Sequence, residues 1–186
     1  MRELRHRYPG AEIATRHLDW NEPRAALLDR RVDAVVARLP FPVGQLEVTL
    51  LYDEPRVLVV PLDHRLASKE FVTLDDIADE PLARVRRSDP AWSAFWRIDP
   101  RPDGRPAPAG PLVDAVEDKY EVIAAGQAVA IVPAPRDASL RPDLTTVALV
   151  GVAPSRVVLA TRAGDDRRLL AAFRACARAH LTGDSS

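Results

Sequence analysis

Residues 8–40 read YPGAEIATRHLDWNEPRAALLDRRVDAVVARLP, and the punctuation of this stretch decides the fold class. Before it, Arg2 to Tyr8 reads as the tail of a helix, stopped by Pro9 and Gly10. Ala11 to Leu18 predicts a strand ending at Asp19. Asp19 or Asn21 is placed to cap the next helix, and Pro23 suits its first turn. That helix carries Ala26, Leu27 and Leu28 and ends near Arg31. Val32 to Leu39 (VDAVVARL) is then a β-branched run of buried-strand length. Two strand–helix alternations in so short a span predict an α/β domain with a parallel sheet and crossover helices.

Working outward, the middle of the chain changes rhythm. Leu46 to Tyr52 alternates Leu46, Val48 and Leu50 after Pro42 and Gly44, and Arg56 to Pro61 (RVLVVP) follows a short acidic turn. Thr73-Leu74-Asp75-Asp76 resembles an N-cap signal that opens a short helix to about Ala78. Pro81 to Arg86 predicts a strand and Pro90 to Trp96 a helix. The proline-rich stretch Arg97 to Gly110 predicts an exposed loop. Beyond it come a brief strand at Leu112–Val113, a helix over Ala115–Ala125 with Gly126 as its C-cap, and a strand over Val129–Val132. Two further strands, Leu144–Val152 and Val157–Ala160, precede a last helix over Asp166–Leu181, whose stripe is Leu169, Leu170, Phe173, Ala177 and Leu181.

Composition excludes several classes of function. The chain has 186 residues, 47% of them hydrophobic, which is enough for a core in one domain or two small lobes. A net charge of −1 gives no general pull toward nucleic acid or anionic membranes. Lys69 and Lys119 are the only lysines, so no lysine-rich run exists. The single Cys176 can form neither an internal disulfide nor a thiolate metal site by itself, and it reads as a buried structural thiol. The polar start, MRELRHRYPG, lacks a signal-peptide core, and no apolar run is long enough to span a membrane. A cytoplasmic protein without membrane association is expected. No Gly-x-Ser-x-Gly, phosphate loop or paired-histidine metal motif occurs, and His6, His17, His64 and His180 are scattered, so neither catalysis, cofactor nor metal is expected.

Four segments, in order, resemble the effector-binding domain of LysR-type transcriptional regulators. They are residues 8–40 above; Leu51 to Ala67 (LYDEPRVLVVPLDHRLA); Val72 to Pro81 (VTLDDIADEP); and Lys119 to Pro133 (KYEVIAAGQAVAIVP). The resemblance implies a type 2 periplasmic-binding-protein fold, with two Rossmann-like α/β lobes joined by two crossover strands and a ligand in the cleft. Lobe one would comprise about residues 1–58 and 145–186, and lobe two about 59–144. It also implies a homodimer and ligand-dependent lobe movement that controls transcription. The family's N-terminal winged helix-turn-helix is not in this sequence, nor is the domain's own first strand. The chain alone is therefore expected not to bind DNA, although a full-length regulator would. Ala128 stands where the family often has glycine. Either the chain is a truncated product or its start lies upstream, and the second reading is favoured.

Candidate ligand residues lie at strand ends, where open α/β sheets bind small molecules. In lobe one these are Asp19, Trp20 and Asn21, with Arg38, Leu39 and Pro40 after the next strand. Asp19 and Asn21 serve equally well as plain helix caps, and Arg38 as a solvated cation. In lobe two, Arg86 and Ser88 precede the helix that carries Trp92, and Arg86 with that helix's N-terminus suits a carboxylate. Trp92 is either an aromatic wall or ordinary packing against Trp96. Ala134 and Pro135 follow the Val129–Val132 strand. The expected effector is an organic acid or aromatic metabolite. Three rival readings are a solute-binding receptor, an enzyme on the same fold and a remnant with no sensing role.

Overall fold

The run RVLVVP becomes β3 (Arg56–Pro61), and all six of its residues are buried. A strand so placed needs cover on both faces, which is why its sequence is continuously apolar rather than alternating. Leu58 and Val60 join one core with Leu66, Val72, Ile77 and Val147, while Val57 and Val59 join another with Ile123, Ala130 and Leu144. The computed structural model describes residues 2–134 and 140–181. These fall into two compact units: Met1–Asp53 with Arg156–Ser186, and Glu54–Ser155.

The first unit contains α1 (Arg2–Arg7), α2 (Pro23–Leu28), β1 (Ala34–Arg38), β2 (Leu46–Glu54, whose last residue belongs to the second unit), β9 (Ser155–Arg162, whose first residue belongs to the second unit) and α5 (Arg168–His180). Its sheet runs β1-β9-β2, with β1 antiparallel to β9 and Val36 opposite Leu159. Leu27, Val35 and Ala160 form its core, joined by Leu18, Val32, Phe41 and Val48. Arg162 ties the end of β9 to the helical side. Its Nη1 donates to the Leu27 and Val32 carbonyls, both at 2.9 Å, and its Nη2 to Asp33 and Asp165. Five donors on a planar fork let one residue hold four acceptors, which a lysine could not do.

The second unit contains β3, β4 (Phe71–Val72), β5 (Leu82–Val85), α3 (Pro90–Arg97), β6 (Ala109–Val113), α4 (Asp118–Ala124), β7 (Ala130–Pro133) and β8 (Leu144–Leu149). Its larger sheet runs β4-β8-β3-β7, and β5 pairs with β6 in a second, two-stranded sheet. Arg56 is buried. Its Nε donates to the Ala153 carbonyl at 2.7 Å, its Nη1 donates to the Phe95 carbonyl at 2.8 Å, and the guanidinium stacks 4.3 Å from the Phe95 ring centroid.

Several expectations need correction. Ala11–Leu18 is irregular rather than a strand, because no described strand offers it a ladder; the Ile13 carbonyl instead accepts from Arg5 Nη2 at 3.1 Å. The larger sheet is mixed rather than parallel: β3 is antiparallel to both β7 and β8, while β4 and β8 are parallel; β1 is antiparallel to β9, and β5 and β6 are parallel. No helix forms at Thr73–Ala78. The Thr73 amide donates to Asp76 Oδ2 at 2.8 Å, as in a cap, but only three-residue turns follow before Pro81 ends them. The helix expected from Ala115 starts at Asp118.

Candidate functional site

In the first unit, Asp19, Trp20 and Asn21 form the turn before α2. The N-cap position falls to Glu22, not to Asp19 or Asn21. The chain closes this turn on itself: the Asp19 amide donates to Glu22 Oε2 at 3.2 Å and the Glu22 amide to the Asp19 carbonyl at 3.0 Å. That amide bond, with Arg31, holds the Glu22 carboxyl below its ordinary value. The side chains of Asp19 and Asn21 stay exposed and Trp20 is half-buried. Arg38 ends β1 and is exposed, while Leu39 and Pro40 are half-buried. The Leu39 amide donates to the Arg156 carbonyl at 2.9 Å, which fixes this strand end.

In the second unit, the turn from β5 to α3 holds Arg86, Arg87, Ser88 and Asp89. Arg87 has φ +58°, a left-handed backbone that costs a non-glycine residue energy and recurs at ligand-binding turns. Ser88 Oγ donates to the Val85 carbonyl at 2.9 Å, and Arg86 Nε meets Asp114 at 2.7 Å on the surface. Asp89 caps α3, accepting from the Ala91 amide at 2.9 Å and the Trp92 amide at 3.1 Å. Those helix N–H groups were the expected partner of a ligand carboxylate, and the chain supplies its own. The signal was Asp89 directly before Pro90, a cap followed by a first-turn proline. Ala134 lies beyond β7, its amide donating to the Pro55 carbonyl at 2.9 Å. Pro135 lies outside the described residues.

Trp92 makes the packing contact that its spacing from Trp96 allowed. Its ring lies 6.4 Å from that of Trp96, tilted by 55°, and it faces Lys119, whose Nζ is 5.9 Å from the ring centroid. Sequence reasoning missed Lys119. It sits one helical turn before the fully buried Ile123 and is itself only 6% exposed, and that i, i+4 spacing was the available clue. Burial lowers its ammonium pKa to about 8, outweighing the opposing effect of Glu117.

Among the described residues, one grouping has metal-ligand chemistry: Glu3 from α1 with Cys176 and His180 from α5, whose ligand atoms lie within 4.8 Å of one another. Cys176 is only half-buried, not enclosed as expected, and Glu3 and His180 are exposed and paired with each other.

Comparison with known proteins gives this architecture a family. The family described as LysR substrate binding domain matches residues 1–182. The regulator AlsR of Bacillus subtilis is 29% identical over 96 residues, covering 52% of this chain and 31% of that protein. This chain thus matches about a third of the length of that curated relative. The effector binding domain of BenM, solved with its effector benzoate, superimposes with TM-score 0.77 at 22% identity over 96% of this chain and 82% of that one. HinK, a LysR family transcriptional regulator from Pseudomonas aeruginosa, superimposes with TM-score 0.77 at 18% identity, covering 97% of this chain and 64% of that one. With the family matching nearly every residue and the fold shared along nearly the whole length, this chain belongs to the LysR substrate binding domain family.

Proposed function

We infer that this chain is the effector-sensing part of a LysR-type transcriptional regulator. The observation that carries the reading is the β5–α3 turn, where a left-handed Arg87 sets Arg86 and Ser88 ahead of the half-buried aromatic Trp92. A cation, a hydroxyl and an aromatic face in one turn suit an organic acid or aromatic metabolite. Asp19, Trp20, Asn21, Arg38, Leu39 and Pro40 are the candidate contacts of the first unit, and Ala134 is a further candidate of the second. Binding favours one arrangement of the protein over another by its differential affinity for the two. DNA contact belongs to the full-length regulator, and the sensing role involves no turnover.

The test is calorimetric titration of the chain with a panel of organic acids that includes benzoate. A binding acid should be recovered chemically unchanged, and Arg86→Ala and Ser88→Ala should each weaken it by about tenfold, the loss of one charge-assisted or neutral hydrogen bond. Unchanged affinity in both variants would put the effector elsewhere.

A further inference from the structure

Glu3 and Cys176 are separated by 173 residues, and the first unit brings them together where α1 lies against α5. Leu4 on α1 and Ala177 on α5 are both buried, so the chain is anchored beside each of them. Within α5 the spacing is Cys-x-x-x-His, from Cys176 to His180. Residues four apart stand one above the other on a helix face, which sets the thiol and the imidazole side by side. Glu3 meets both from the other helix. Its Oε2 is paired with His180 Nε2 and lies 3.9 Å from Cys176 Sγ. All three ligand atoms lie within 4.8 Å of one another. None of the effector candidates stands on either helix.

The donor set is one sulfur, one imidazole nitrogen and one carboxylate oxygen, each of a type that zinc takes. In tetrahedral coordination at ordinary bond lengths, such donors stand about 3.4–3.6 Å apart. The Cys176–Glu3 spacing has only to close slightly, and the His180–Glu3 pair to open. Both adjustments are open to these side chains, since Glu3 and His180 are exposed and Cys176 is half-buried. A thiolate and a carboxylate balance the ion's two positive charges, and a neutral imidazole adds none. We propose that Glu3, Cys176 and His180 form a zinc(II) site that clips α1 to the end of α5. On binding, the thiol gives its proton to solvent, and the metal replaces the hydrogen between His180 and Glu3. Water fills the fourth position, on the exposed side. Magnesium and calcium take oxygen ligands, and only one of these three donors is an oxygen.

The experiment is calorimetric titration of the reduced chain, free of any histidine tag, with zinc chloride and separately with magnesium chloride. One zinc per chain should bind at about 1 μM or tighter, and magnesium at least about a hundredfold more weakly. Cobalt(II) in place of zinc should show the intense near-ultraviolet band of thiolate-to-metal charge transfer, which carboxylates and imidazoles do not give. Cys176→Ser should abolish that band. Cys176→Ser, His180→Gln and Glu3→Gln should each weaken zinc by at least about tenfold. Because these side chains lie at the surface, circular dichroism should show all three variants folded as the parent is. No zinc heat up to about 100 μM overturns the proposal. So does magnesium binding as tight as zinc, a cobalt spectrum without the thiolate band, or parental zinc affinity in any one of the three variants.

Discussion

Lys119 carries a consequence for stability that needs no ligand. Its folded pKa of about 8 lies below the ordinary 10.5. Between those values the unfolded chain binds the extra proton and the folded chain does not, so stability rises with pH across this window. Below about pH 8 both states are charged and the burial penalty is fully present, at roughly 3 kcal/mol as an upper figure. Lys119→Met is therefore expected to raise the melting temperature at pH 7, and the gap should close as pH approaches 10.5. Scanning calorimetry of both proteins at a series of pH values checks this. A constant gap would mean that the residue acts through packing alone. Individual candidates were unevenly legible in the sequence. Arg86, Ser88 and Trp92 could be found because they follow a strand and open a helix. Lys119 could not be found from its residue type, since lysine is normally solvated; only its phase with Ile123 gives it away.

Among elements, β3 was legible to the residue because burial on both faces leaves a continuous apolar run. Ala11–Leu18 was not, because a strand exists only where a neighbour completes its ladder, and a single segment cannot report its neighbour. The same applies to β6, which the sequence marked only at Leu112–Val113. Its earlier residues include Gly110, where an added Cβ would lie 2.8 Å from both the carbonyl carbon and oxygen of Leu82 on β5. Backbone cannot yield as a side-chain tip can, so Gly110→Ala should cost about 1–3 kcal/mol in urea unfolding. Gly44→Ala, where nothing lies within 4 Å, is the control and should change little. Equal stability of the two variants would show that β6 shifts freely against β5.

For the whole molecule, family membership was legible because it rested on the order of four separated segments rather than on any one motif. The strand directions were not, since pairing between distant segments leaves little trace in local pattern. The proposed homodimer belongs to this scale as well. Light scattering at tens of micromolar should give twice the 20.5 kDa of one chain, and a monomer would count against pairing through this domain. The division into units has a further meaning in time. The second unit is one uninterrupted stretch, Glu54–Ser155, while the first is assembled from both flanks, with Val36 of β1 waiting for Leu159 of β9. A growing polypeptide can close the second unit's core while the first still lacks β9 and α5. The vulnerable interval in this protein's synthesis is therefore the passage from Ser155 to the end of α5, when a finished insert hangs from an unfinished host.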